Sequence, residues 1–375
     1  MTPDEPEVVL DIRNLRAFYT SKKGIVRAVN GVSLQVKRGE TLGLFGESGA
    51  GKSSIALAIL GLFEGVSRQH SSTAANEETK RLWAKRDEAR KKGLTSRDLG
   101  EDLPGVEGEI LFKGVDLTKL SEKEMRELRG DRITYVPQGT TKSLNPYSNI
   151  AEQTGEALFA HDEDGLLTDK QVLHRVIKAL DLMELGDAAL RKGMKPSQFS
   201  VGEDQRVLLA MALITLPDLM IADEPTTALD MAIQNRILAA IKIAREQLGL
   251  AMILISNNQA TINATCTRVA VMTAGKIVEL GPKDEILGSP LHPFTRAFIM
   301  SNPSMEALRK IREKGLRIRG IPGRPPDLTE PITGCVFAER CEFAVEKCHT
   351  VEPEFEEVQD GHFVMCHRHS ELPEW

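Results

Sequence analysis

Apolar positions along the chain fall into short runs and longer ones. Between residues 8 and 48 they form VVLDI, IVRAV, VSLQV and TLGLF, rich in Val and Leu and separated by Gly, Lys and Arg. That pattern predicts short strands. SSIALAILGLF (53–63) then reads as a buried helix. Strand returns within 108–137 as GEILF and RITYVP, and 147–215 reads as mostly helical. LMIAD (219–223) and LAMILIS (250–256) are continuous apolar runs, as expected of strands buried on both faces of a parallel sheet. VAVMTAGKIVELG (269–281) predicts a hairpin, and helix alternates with loop up to a Pro-rich link, Gly320 to Pro326. The chain carries no internal repeat.

Residues 67–105 interrupt this order. They hold few apolar side chains, and Glu77 to Lys92 is dense in charge. Glu77–Arg81, Asp87–Lys91 and Glu88–Lys92 stand at i,i+4, which predicts a solvated insertion helix rather than a docking surface.

Length and charge narrow the class. The 375 residues allow two or three domains of roughly 100–200 residues each. Hydrophobic residues at 41% and charged residues at 27% exclude a disordered or collagen-like chain. A net charge of −6 leaves no basic footprint for nucleic acid. No apolar run reaches the ~20 residues of a membrane span, and MTPDEPEVV is too acidic for a signal peptide. A cytoplasmic protein is expected, with any membrane role exercised through a partner.

The first chemical signal is Gly46-Glu47-Ser48-Gly49-Ala50-Gly51-Lys52-Ser53, which fits GxxxxGK[ST] between an apolar strand and an apolar helix that continues through Ser54. The glycines let backbone N–H groups turn toward phosphate oxygens, and the helix N-terminus adds partial positive charge. Lys52 would reach the β- and γ-phosphates, and Ser53 would offer its hydroxyl to Mg²⁺. Asp223 and Glu224 end the apolar run LMIAD. Asp223 is placed to hold the Mg²⁺ shell, and Glu224 to orient or deprotonate a water attacking the γ-phosphate.

The second signal is a cysteine cluster. Cys335-x5-Cys341-x6-Cys348-x17-Cys366 lies within the last 41 residues. In a reducing compartment such a cluster points to metal before disulfide. Four thiolates suit zinc or an iron–sulfur cluster, and unmetallated thiols remain the alternative. Bound metal would staple a core-poor tail. Cys266 stands apart and reads as a small buried hydrophobe.

With these residues in view, the chain resembles the ATP-binding subunits of ABC transporters. Asp223-Glu224-Pro225-Thr226-Thr227-Ala228-Leu229-Asp230 resembles that family's magnesium strand and D-loop, and Val136-Pro137-Gln138 its Q-loop. Ser143-Leu144-Asn145-Pro146, His292-Pro293-Phe294-Thr295-Arg296 and the cysteine ending resemble the oligopeptide/dipeptide and nickel importer branch. The resemblance implies an α/β fold: a P-loop NTPase core of ABC type with an antiparallel β subdomain, an inserted helical subdomain and a small cysteine-rich C-terminal region. The ATP-binding domain would cover 1–288, with the helical subdomain at about 139–215 and the charged insertion at about 67–105. Residues 289–375 would form the C-terminal region, holding a [4Fe–4S] cluster on its four cysteines.

The resemblance also implies roles. Tyr19 would stack on adenine. Gln138 would bind Mg²⁺ and sense the membrane partner, and Asp230 would communicate across a subunit interface. Each ATP would lie between one phosphate loop and the signature segment of a second ATP-binding subunit. Two transmembrane permease subunits and an extracytoplasmic solute-binding protein would complete an importer at the cytoplasmic face of the membrane.

Two departures qualify this expectation. The signature segment, about LSGGQ in the family, reads Phe199-Ser200-Val201-Gly202-Glu203 followed by Asp204. Ser200 and Gly202, the positions that approach the opposite γ-phosphate, are retained. Val201 restricts the backbone, and Glu203 with Asp204 adds negative charge near that phosphate. The switch histidine is replaced by Asn257, which can donate a hydrogen bond but carries no proton or positive charge. Tight binding with slow hydrolysis is expected, so the chain is either a catalytic subunit or a regulatory one with a slow site. Because a homodimer would combine both defects twice, a non-identical ATP-binding partner is expected.

Overall fold

The first three apolar runs form two strands. β1 (Val8–Ser21) and β2 (Gly24–Lys37) make one long antiparallel hairpin. IVRAV and VSLQV are therefore a single strand, and VVLDI continues through Tyr19. Asn14, and Gly31 between IVRAV and VSLQV, take φ of 49° and 80°. The register shifts there, and the Asn14 N–H donates to the Ser33 hydroxyl at 2.9 Å. A bulge of this kind bends a strand without ending it. The computed structural model describes residues 6–65, 77–139, 143–162, 164–227, 229–301, 308 and 320–373.

β3 (Thr41–Gly46) enters a second sheet, while β4 (Gly105–Phe112) and β5 (Val115–Asp116) complete the first in the order β2-β1-β4-β5. The second sheet gathers β6 (Ile133–Val136), β7 (Leu219–Asp223), β8 (Ala251–Ser256), β9 (Arg268–Thr273), β10 (Lys276–Pro282), β11 (Glu356–Gln359) and β12 (His362–Val364) around β3. Its order is β11-β12-β10-β9-β3-β8-β7-β6, parallel from β9 to β6. Every residue of β3, β7 and β8 is buried. Alternation then sorts them. Ala251, Ile253 and Ile255 join the core beneath the antiparallel sheet, and Met252 and Leu254 join the opposite core with the helices.

Helices Ile150–Ala160, Asp169–Leu182 and Val201–Leu213 form the predicted helical region, the first two opened by capping boxes on Asn149 and Thr168. The insertion differs from expectation. Its helix Glu77–Lys91 is anchored as well as solvated: Trp83, Arg86 and Ala89 are buried. Arg86 donates to the Val106 carbonyl and to Glu107 of β4. The Lys92–Glu88 pair forms at 2.6 Å, while the side chain of Glu77, and so the pair with Arg81, lies outside the described residues.

The tail is not detached from the core. β12 pairs with β10 and extends the main sheet. Phe45 touches Phe298, Phe298 stacks on Phe294, and Phe294 meets Phe337 of the cysteine segment, with centroids 4.8, 5.5 and 5.4 Å apart. Glu279 of β10, fully buried, accepts the N–H groups of Leu291 and His292 and pairs with His362. That carboxylate fixes the His292-Pro293-Phe294 segment and the tail hairpin together. His292 is itself buried, which pushes its pKa down to about 4.

Helix Val201–Leu213 buries Asp204, whose Oδ1 has no hydrogen-bond partner among the described residues. Burial, with a smaller effect from Glu203, raises its pKa from 3.8 to about 6. The folded chain holds this proton more tightly than the unfolded chain, so stability falls as pH rises through this interval and stays lower above it. Asp204→Asn should therefore raise the melting temperature by roughly 2–4 °C at pH well above the raised value. The gain should shrink toward pH 4, a trend that calorimetry across the pH range would check.

Candidate nucleotide site and cysteine segment

The phosphate loop joins the end of β3 to helix Lys52–Ile59. A Cβ at Gly46 would lie 2.0 Å from the Met272 carbonyl oxygen, and one at Gly51 would lie 2.0 Å from that of Ala28. Gly49 and Gly51 also take φ of 80° and 100°. The loop is thus wedged between backbones and tolerates no side chain at Gly46 or Gly51. Ser48, Gly49 and Ser53 face solvent, Ala50 is buried and Ser54 half-buried.

Lys52 is buried and folds back on its own loop. Its Nζ donates to the carbonyl oxygens of Gly46 at 2.9 Å and Glu47 at 2.8 Å. Burial holds its pKa below the ordinary lysine value, against the opposing pull of Glu224, Asp223 and Glu47. Asp223, buried at the end of β7, is raised by burial, while hydrogen bonds from Ser53 and Tyr135 work the other way. The Tyr135 hydroxyl donates to Asp223 Oδ2 at 3.3 Å.

Glu224 follows in the left-handed region at φ 48°, a conformation that costs about 1–3 kcal/mol in a non-glycine residue. Its N–H donates to the Ile255 carbonyl of β8 at 2.9 Å. Its Oε2 accepts Gln138 Nε2 at 2.7 Å and the Thr227 hydroxyl at 3.0 Å. Lys52, Ser53, Asp223, Glu224 and Gln138, far apart in sequence, therefore meet at one sheet end. Tyr135 and Thr227 belong to the same group. Neither has a role assigned from sequence: Tyr135 lies within the strand run RITYVP, and Thr227 only within the run from Asp223 to Asp230.

Other predicted residues are used elsewhere. Tyr19 is half-buried on β1 and packs on the core of the antiparallel sheet. Ser200 caps helix Val201–Leu213 in a capping box with Glu203, its hydroxyl donating at 2.8 Å. Arg191 pairs with the same carboxylate. Burial opposes ionisation of Glu203, but the Ser200 and Arg191 hydrogen bonds outweigh it and hold the pKa down at about 2. Gly202 is buried against helix Met231–Leu248, where a Cβ would lie 2.5 Å from the Ile233 side chain. Asp230 caps that helix, accepting the N–H groups of Ala232 and Ile233 at 3.0 Å. Asn257 is exposed just beyond β8.

Cys335, Cys341, Cys348 and Cys366 line one cavity together with His292, Phe337 and Arg368. All four are free thiols. Burial raises the thiol pKa values of Cys335 to about 12 and Cys366 to about 11, and raises that of Cys341; the neighbouring cysteines add to each rise. Backbone N–H groups two residues on oppose it: Phe337 at Cys335, Phe343 at Cys341, and Arg368, whose N–H lies 3.4 Å from Cys366 Sγ. Among the described residues, no three His, Cys, Asp or Glu side chains are grouped to hold a metal ion. Cys266 is buried in the main core, beside Gly43, and its thiol is raised by burial.

Comparison with known proteins places this geometry. Residues 29–98 and 98–227 match the ABC transporter family, and residues 278–348 match the C-terminal region of oligopeptide/dipeptide transporters. The chain is 37% identical to a probable peptide ABC transporter ATP-binding protein, y4tR, of Sinorhizobium fredii, covering 98% of this chain and 96% of the relative. It is 36% identical to the dipeptide transport ATP-binding protein DppD of Bacillus subtilis, covering 96% and 94%. It is 33% identical to the oligopeptide transport ATP-binding protein OppD of Haemophilus influenzae, covering 96% of each. Its fold matches the dimeric structure of a bacterial ABC transporter cassette, MJ0796, with a TM-score of 0.57 and 23% identity over 73% of this chain and 98% of that one. The phosphate loop, the Asp223–Glu224 pair at a parallel strand end and the full-length relatedness lead to one assignment: the chain belongs to the ABC transporter ATP-binding proteins, ATPases of the oligopeptide/dipeptide importer type.

Proposed function

We propose that this chain hydrolyses ATP to drive import of di- or oligopeptides through two transmembrane permease subunits, fed by an extracytoplasmic solute-binding protein. The observation that carries the reading is the convergence of Lys52, Asp223, Glu224 and Gln138 on one phosphate loop. No helix among the described residues is long and apolar enough to cross a membrane, which fits a peripheral place at the cytoplasmic face. Residues 1–288, with the charged insertion and helical subdomain, act as the motor, and 289–375 as its C-terminal region.

Gly46 through Ser54 bind the phosphates through backbone N–H groups and Lys52, and Tyr19 meets the adenine. Ser53, Asp223 and Gln138 hold Mg²⁺, which neutralises phosphate charge when bound. Glu224 accepts a proton from water as its oxygen bonds to the γ-phosphorus. The bond to the β–γ bridging oxygen breaks, and ADP and phosphate leave. A partner cassette, a different protein, presents its signature segment to this site. Ser200 and Gly202 do the same for the partner's ATP, and Asp230 links the two.

A second reading is favoured by Asn257: a subunit that binds ATP and turns it over slowly, supporting closure while its partner catalyses. A photoreactive ATP analogue cross-linked in the assembled complex separates them. ADP on this chain after turnover supports catalysis here, and persistent ATP supports the regulatory reading. In the catalytic case, Glu224→Gln should lower turnover about 10²–10³-fold, as loss of a transition-state group does, and Asn257→His should raise it. Single-turnover hydrolysis checks both.

The cysteines support a [4Fe–4S] cluster. The support is placement: four half-buried or buried thiols, Cys335, Cys341, Cys348 and Cys366, line one cavity. Among the described residues no three such side chains are grouped to hold a metal ion, so neither zinc nor a cluster has a preformed ligand set. The cluster, when bound, would fasten the tail through Cys335, Cys341, Cys348 and Cys366. Anaerobically purified chain should contain iron and acid-labile sulfide in equal amounts. Cys348→Ser should lose both and lower the melting temperature; zinc in their place would refute the cluster.

A further inference from the structure

The phosphate loop contains a carboxylate that ATP binding does not need. Glu47, its second residue, has a largely buried side chain 15% exposed. The carboxylate acts electrostatically on Lys52, the cation meant for nucleotide phosphates. A free carboxylate there would compete with, and repel, the ligand.

The cysteine segment answers that charge. Arg340, 293 residues away in sequence, grips Glu47 with both guanidinium ends: Nη1 donates to Oε1 at 2.9 Å and Nη2 to Oε2 at 3.0 Å. The Thr273 hydroxyl donates to Oε1 at 2.8 Å. Arg340 is itself buried and pinned, with Nε donating to the Pro322 carbonyl at 3.1 Å and the guanidinium over the Phe337 ring. It closes the 3-10 turn Ala338–Arg340, between Cys335 and Cys341. The Cys335 N–H donates to the Cys348 carbonyl at 2.7 Å. The turn that carries Arg340 is therefore shaped by the cysteine segment, and Arg340 reaches the phosphate loop from it.

We propose that Arg340 is a positioning residue for ATP binding. Its fork holds the Glu47 carboxylate out of the phosphate cradle and neutralises it, leaving Lys52 for the nucleotide, so that the fold of the cysteine segment sets ATP affinity. The inference rests on the ATP reading of the loop and holds for any group that orders the cysteines. Planar two-point recognition requires arginine, which lysine cannot replace fully.

The test uses the full-length chain, a fluorescent ATP analogue with Mg²⁺, and steady-state hydrolysis in the assembled complex. Arg340→Met should weaken nucleotide binding and raise KM about tenfold, the order expected for loss of a charge-assisted pair, with kcat changed less than about twofold. Arg340→Lys should fall between. Adding Glu47→Gln to Arg340→Met removes the stranded carboxylate and should restore most of the lost affinity. Cys341→Ser should weaken binding as Arg340→Met does, without adding to it. Unchanged affinity in Arg340→Met overturns the proposal. Equal weakness in the single and double variants also overturns it, because Arg340 would then act only by supporting the tail. If Arg340→Met does not fold, Arg340→Lys with and without Glu47→Gln carries the same comparison. Failure of the unaltered chain to bind the analogue would instead refute the ATP reading.

Discussion

One buried ammonium organises this molecule. Lys52 sits below the surface with three carboxylates acting on it: Asp223 and Glu224 from β7 and its turn, and Glu47 from its own loop. Burial favours the neutral amine and the nearby acids favour the cation, so the two effects oppose each other at this one group. The arrangement is balanced for a ligand more negative than the loop it enters. Any shift in one of the acids changes what Lys52 can offer to phosphate.

The surrounding structure serves that balance. β3 and β7 are separated by β8 in the sheet, and parallel pairing aligns the ends of all three. Backbone packing at Gly46 and Gly51 holds the loop against β9 and β2. Glu224 keeps a left-handed backbone because β8 accepts its N–H, and its carboxylate is held by Gln138 and Thr227. The tail contributes from the far end of the chain, through β12, the phenylalanine contacts and Arg340. A region that composition suggests is an appendage is built into the main sheet and touches the phosphate loop.

Much of the site was legible beforehand because its chemistry is local. A phosphate loop needs its glycines, lysine and serine within eight residues, and a metal-binding strand needs its acids at the end of an apolar run. Continuous apolar runs marked β7 and β8 for the same reason, since both faces are buried. The bulged hairpin was less legible: Asn14 and Gly31 carry turn signals, and only cross-strand pairing reveals them as bulges. The insertion misled through its charge, because Arg86 is buried by pairing with Glu107 on a strand that composition alone does not connect to it.

The sequence by itself determined the nucleotide chemistry, the parallel strands beneath it and the clustering of four thiols, all of which depend on short-range order. Only the tertiary structure decided which charges meet. Gln138 and Glu224 are 86 residues apart, and Arg340 and Glu47 are 293 apart. Coulomb and hydrogen-bond energies depend on distances in space and on local burial, and neither follows from separation along the chain.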